Sequence, residues 1–259
     1  MRFQLLGGEM GANSWNHGYV VRMKAAPGWS TTWSIIRLLA ALLIAAAIVA
    51  QATRTIGGAV SWNGDVATTA VNFFSFFTVL SNLCSVVVLA IVGVWGLRHR
   101  PAPGPLPAGP AIALACITSY MLVTGVVYNT LLRGIELPQG TTVPWSNEVL
   151  HVIGPVFLPL DLLFGSSPTR LPWRWVLGIL VFPLLWVAYT LIRGPLVTNP
   201  TTGAAWWYPY PFLDPHAVNG YAGIVPYVLG IAVALSAFGA GVVYARRRRG
   251  AERLVEAVV

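Results

Sequence analysis

Residues 147–164 read NEVLHVIGPVFLPLDLLF, an apolar run that nevertheless holds Glu148, His151 and Asp161. Asn147, His151 and Pro155 follow one another at intervals of four, and Glu148 stands three residues before His151. On a helix these groups share one face. A second polar set lies in NFFSFFTVLSNLCS, residues 72–85, where Ser75, Thr78, Asn82 and Ser85 are spaced three, four and three apart and form one stripe. A third set is Tyr120, Thr124 and Tyr128, at intervals of four, with Asn129 beside them. A hydroxyl within reach of an imidazole is the minimum for nucleophilic acyl transfer. The imidazole takes the proton as the oxygen attacks a carbonyl, then returns it to the leaving group. Histidine suits that role because its unperturbed pKa, about 6.5, lies near neutrality. The same residue types have a plainer use, since Ser, Thr and Asn knit membrane helices together by hydrogen bonds.

The elements that must position these groups follow from composition. The 259 residues are 56% hydrophobic and 9% charged, against roughly 25% charged in a soluble domain. Apolar runs long enough to cross a hydrocarbon core of about 30 Å fall near 33–52, 71–97, 109–132, 149–165, 173–192 and 221–244. This pattern predicts an all-α, six-helix transmembrane bundle. The fourth run is the shortest, and Pro155 and Pro159, which lack a backbone donor, interrupt it. With the termini and alternate loops assigned to one side, that side holds 13 of the 16 Lys and Arg residues; Arg54, Arg133 and Arg193 remain on the other. Cytoplasmic loops collect cations, so both termini are expected in the cytoplasm of a multi-pass cell-membrane protein.

Three regions follow: an N-terminal tail over 1–32, a membrane domain over 33–244 and a basic tail over 245–259. The N-terminal tail is expected to be retained as part of a signal anchor, and its first 25 residues to be loosely ordered. The Arg246–Arg249 run reads as an anchor among anionic headgroups, not as a nucleic-acid site. Residues 98–110 form a Pro-rich linker. Cys84 and Cys116 both fall inside spans, which suggests neither a disulfide framework nor a thiolate metal site. His151 lacks a second ligand at the usual spacing, so no metal and no cofactor are expected.

Depth sorts the polar groups. An ionisable side chain in hydrocarbon costs about 2.5–3.5 kcal/mol on insertion scales, which makes each one a functional candidate. His151 lies about one turn below the outer surface, and Asp161, ten residues on, about 15 Å deeper. They cannot touch along a regular helix. Thr78 lies about 10 Å in from residue 71, in the same outer half as His151.

The N-x-x-x-H segment Asn147–His151, the proline four residues on, the carboxylate at Asp161 and the later WYPYPFLD, residues 207–214, together resemble one membrane family. It is that of the androgen-induced and androgen-dependent integral membrane proteins, with their bacterial six-span relatives. The segment FFTVLSNL, 76–83, resembles the family's threonine segment. The resemblance runs from the first helix through the sixth. It implies a threonine hydrolase of fatty acyl esters, with Thr78 as nucleophile and His151 as base, fed by a lipid ester from the bilayer. Asn82, Asn129, Asn147, Tyr128 and Glu148 are the candidates for orienting the imidazole or holding an oxyanion. Asp161 is a structural or second polar contact.

The loop WWYPYPFLDPH, 206–216, has three prolines in eleven residues. It reads as an interfacial aromatic belt, or as a stiff segment that caps the cavity as a lid or lines the lipid entry, with Trp207, Tyr210, Phe212 and Asp214 as substrate or lid residues and Asp214 or His216 as polar contacts. Membrane lipids are the expected partners; nucleic acid is not. Two rivals remain: a proton-coupled transporter that uses Glu148, His151 and Asp161 as a relay, and a scaffold whose polar stripes only join helices.

Overall fold

The computed structural model describes residues 28–100, 104–135, 142–166 and 169–256, with only the helical course given for 251–256. The N-terminal segment expected to be loose lies outside these residues. The described residues form seven helices and no strand: α1 (Trp29–Ser61), α2 (Val66–Ser75), α3 (Phe77–Arg98), α4 (Ala108–Leu132), α5 (Pro144–Phe164), α6 (Trp175–Leu196) and α7 (Gly220–Glu256). All but α2 are long and apolar enough to span a membrane. Large apolar side chains point outward along them, with Leu177 71%, Ile192 68% and Val233 68% exposed, as expected of a face solvated by lipid.

The second expected span differs from the observed one. A continuous helix over 71–97 is replaced by α2 and α3, separated at Phe76, whose backbone is extended (φ −68°, ψ 131°). The groups freed by the break find partners from other elements. The Ser75 carbonyl accepts from Trp186 Nε1 at 2.9 Å, and the Thr78 amide donates to the Tyr210 hydroxyl at 3.3 Å. A break at membrane depth survives only when its backbone groups are satisfied in this way. The stripe read as Ser75, Thr78, Asn82 and Ser85 is therefore divided: Ser75 turns to Tyr189 of α6 (2.9 Å), whereas the other three belong to α3.

Local chemistry sets the other boundaries. α1 runs past its expected end to Ser61 and stops where Asn63 adopts φ 55° and the Gly64 amide returns to the Ala59 carbonyl, a left-handed C-cap. Asp65 then caps α2, accepting from the Thr68 amide (2.9 Å) and hydroxyl (2.6 Å). Those two bonds hold its carboxyl below the ordinary value. α5 starts five residues earlier than expected, with Pro144 in its first turn.

α1 packs on α3, α3 on α4, and α4 on both α5 and α7, with α6 against α7. Small residues permit the close crossings. A Cβ at Gly96 would run into the Ser34 hydroxyl, and one at Gly93 would lie 3.0 Å from the Ser34 carbonyl oxygen. The start of α1, the end of α5 and the end of α7 meet at one end of the bundle, joined by Trp29 Nε1 to the Phe164 carbonyl (3.0 Å) and Arg249 Nη2 to the Gly165 carbonyl (2.7 Å).

Candidate functional site

His151 is positioned by two irregular turns that face each other. α4 widens into a π turn over Tyr128–Leu132 and α5 into another over Val149–Ile153. Wide turns of this kind are concentrated at functional sites. Pro155 explains much of the local arrangement. An amide at that position would serve the His151 carbonyl in an α-helix, or the Leu150 carbonyl in a π turn, but proline has none to give. Asn129 Nδ2 donates to the His151 carbonyl at 3.1 Å and Asn82 Nδ2 to the Leu150 carbonyl at 3.1 Å. These two asparagines therefore hold the backbone beneath the imidazole and do not bond the ring.

The ring itself is fixed on two sides. Its Nδ1 donates to the Asn147 carbonyl at 2.9 Å, and it stacks on Tyr128 with centroids 3.7 Å apart. Asn147 completes the clamp by donating from Nδ2 to the Tyr128 hydroxyl. A carbonyl can only accept, so the proton sits on Nδ1 and Nε2 keeps its lone pair. That is the tautomer a general base requires.

Thr78 is the second residue of α3, in the first turn, where amides have no intrahelical acceptor. Its hydroxyl lies 3.3 Å from the Tyr210 hydroxyl, the same oxygen that accepts from its amide. Thr78 and His151 line one cavity, together with Gln51, Thr55 and Asn147. Thr78 Oγ1 is bonded to Tyr210, and no direct bond joins it to the imidazole among the described residues. A second, more apolar cavity lies between α4, α6 and α7, lined by Val123, Leu180, Leu184, Ile231 and Leu235. Thr78, Tyr128, Leu132 and Tyr210 border both.

The carboxylates stand elsewhere. Glu148 forms a two-pronged pair with Arg133 Nη2 (2.8 and 2.9 Å), with both side chains nearly half exposed. Arg133 Nε in turn donates to Asn129 Oδ1 at 2.9 Å, which braces the asparagine under His151. Asp161 is buried and paired with Arg37 (Nε to Oδ1, 2.6 Å), and it also accepts from Trp33 Nε1. Neither carboxylate orients the imidazole.

In the aromatic loop, Trp207, Tyr210 and Phe212 are buried. Tyr210 and Phe212 line the apolar cavity, and Tyr210 borders the other as well. Tyr210 packs edge-on to Phe76 (5.6 Å) and Trp186 (5.9 Å) and stacks on Phe212 (5.2 Å), so the loop plugs the space between α3, α6 and α7. Trp207 lies under the Arg193 guanidinium, 5.4 Å away. Asp214 turns to His216, bonding its amide and ring at 2.9 Å each.

Thr55 escaped the sequence reading because it falls beyond the apolar run taken as the first span, and Gln51 because it stands inside that run as a lone amide near its end. The break at Phe76 escaped it because no proline or glycine marks the position.

Together these features define a class: a multi-pass membrane protein with six candidate spans and a hydroxyl–imidazole cavity inside the bundle. Comparison with protein-family models, curated proteins and solved structures found no match.

Proposed function

We propose that the protein is an integral membrane hydrolase of fatty acyl esters, set in the cell membrane with both termini cytoplasmic. Thr78 is the nucleophile and His151 Nε2 the base. The observation that carries this reading is the position of Thr78 where an apolar cavity meets a second one that holds the imidazole, Gln51, Thr55 and Asn147. An acyl chain would lie in the first, and the alcohol portion and attacking water in the second.

As Thr78 Oγ1 bonds to the ester carbonyl carbon, its proton passes to His151 Nε2. The carbonyl oxygen takes the negative charge, and collapse expels the alkoxide, which leaves with that proton. Water then repeats the sequence on the acyl-threonine and releases the acid. The first amides of α3, which have no acceptor within the helix, are the oxyanion donors in this reading, and the Tyr210 hydroxyl oxygen accepts from one of them, that of Thr78. Backbone donors at a helix start thus replace the side-chain asparagines as the favoured oxyanion contacts.

The transporter alternative needs a proton path through Glu148, His151 and Asp161. Both carboxylates are committed to arginines and neither bonds the imidazole, which favours the hydrolase.

The test uses the full chain in detergent with medium- and long-chain acyl esters. Thr78→Ala and His151→Ala each lower kcat/KM by about a thousandfold or more, while Thr78→Ser keeps part of the activity. Turnover or active-site probe labelling that survives Thr78→Ala removes the nucleophile assignment.

A further inference from the structure

The end of the bundle where α1 begins and α7 finishes gathers three charged groups in its interior, Arg37, Asp161 and Arg246, with the half-buried Arg249 beside them. Arg37 is 2% exposed and reaches both oxygens of Asp161, with Nη2 also donating to the Ser166 carbonyl at 3.4 Å. Arg249 donates to the Leu162 and Gly165 carbonyls at the end of α5. Arg246 is 4% exposed, its Nε has no hydrogen-bond partner, and it lies within electrostatic reach of Asp161, Arg37 and Arg249. Among the described side chains, the buried guanidinium groups of Arg37 and Arg246 thus share one buried carboxylate, that of Asp161. The Ser166 hydroxyl, 7% exposed at the same corner, is also without a partner.

A buried cation requires a counter-charge, and a buried donor requires an acceptor. The helix-end carbonyls of Leu162 and Gly165 accept from Arg249, and Asp161 answers Arg37. Nothing described answers Arg246 Nε or Ser166 Oγ. A tetrahedral oxyanion would satisfy both, because guanidinium groups match phosphate geometry and a hydroxyl can donate to a third oxygen.

We propose that this corner is a phosphate-group site, with Arg246 as its principal contact, Arg249 and Ser166 as flanking donors, and the Arg37–Asp161 pair as its floor. The group is either the headgroup phosphate of an anionic lipid or a free phosphate, since the chemistry is common to both. The site lies at the opposite end of α5 from Glu148 and is independent of the hydrolase assignment.

The experiment measures thermal unfolding of the full chain in a neutral detergent. Inorganic phosphate is titrated against chloride at matched ionic strength, and in parallel arms phosphatidylglycerol, phosphatidic acid or phosphatidylcholine is added to the micelles. Phosphate-bearing ligands are expected to raise the midpoint above the chloride and phosphatidylcholine controls. Arg246→Gln weakens the apparent affinity about tenfold or more, whereas Arg248→Gln, the same loss of charge at an exposed arginine stacked on Tyr244, leaves it unchanged. Ser166→Ala gives a smaller loss and serves as the second variant where Arg246→Gln does not fold. A shift with inorganic phosphate assigns a free anion; a shift confined to the anionic lipids assigns a headgroup. Either supports the site. Equal loss in Arg246→Gln and Arg248→Gln, or no phosphate-dependent shift in the parent chain, overturns it.

Discussion

At the scale of single residues, the candidate site depends on groups that bond in two directions. Tyr210 is one, since its hydroxyl oxygen meets both the amide and the hydroxyl of Thr78. Burial in the loop beneath the spans also pushes its phenol above the ordinary value, so it works as a neutral hydroxyl. Tyr210→Phe keeps the ring contacts and removes only that oxygen. It leaves the Thr78 amide without an acceptor and is expected to cost about 1–3 kcal/mol, read from chemical unfolding in detergent. A full retention of stability would mean that water replaces the phenol there. Asp161 shows the opposite logic. Asp161→Asn strands the Arg37 guanidinium in the interior and is expected to destabilise by about 3–5 kcal/mol, while Asp161→Asn combined with Arg37→Met recovers much of the loss. The double variant separates a structural ion pair from a proton relay, because a relay would stay broken after stability returns.

At the scale of elements, the site exists because the chain departs from helical regularity at three points that come together. α2 and α3 part at Phe76, α4 and α5 each widen by a π turn, and Pro155 leaves carbonyls that Asn82 and Asn129 occupy. The contact between α4 and α5 is correspondingly tight. A Cβ at Gly125 would lie 2.7 Å from Pro155 Cβ, closer than such atoms pack. Gly125→Ala must push the two π turns apart. It is expected to cost about 1–3 kcal/mol as overpacking and to lower hydrolysis more than Thr78→Ser does, because the His151 ring shifts with its helix. A Gly125→Ala protein with normal turnover would show that the close approach is not needed to place the imidazole.

At the scale of the whole molecule, the bundle is asymmetric from end to end. The end that gathers the start of α1, the end of α5 and the end of α7 holds Arg37, Arg246 and Arg249, and the far end holds the Arg133–Glu148 pair beside His151. The bias in loop cations predicts that the arginine-rich end is cytoplasmic. A fluorescent protein fused after residue 259 is therefore expected to fluoresce, and an alkaline phosphatase fused there to be inactive; the reverse pair of results refutes the orientation.

Much of this architecture can be read directly from the chain. Length and apolarity alone determine six spans, since hydrocarbon admits no other way to satisfy so much helical backbone. Pro155 and Pro159 mark the fourth span as interrupted, and the spacing of Asn147 and His151 puts an imidazole within it, but the π turn over Val149–Ile153 leaves no mark in that spacing. Depth along α5 separates Asp161 from His151 before any fold is known. What only the tertiary structure decided is which groups meet. The break at Phe76 depends on Trp186 and Tyr210, about 110 and 130 residues away in sequence, for its backbone partners, and periodicity within 72–85 carries no trace of them. For the same reason Glu148 and Asp161, alike as carboxylates on one helix, take different arginines, and Arg246, one of four in a row, is buried while Arg248 is exposed. Helix formation is written in local hydrogen bonds; the satisfaction of a broken helix, or of a buried charge, is written in whichever distant side chain packs against it.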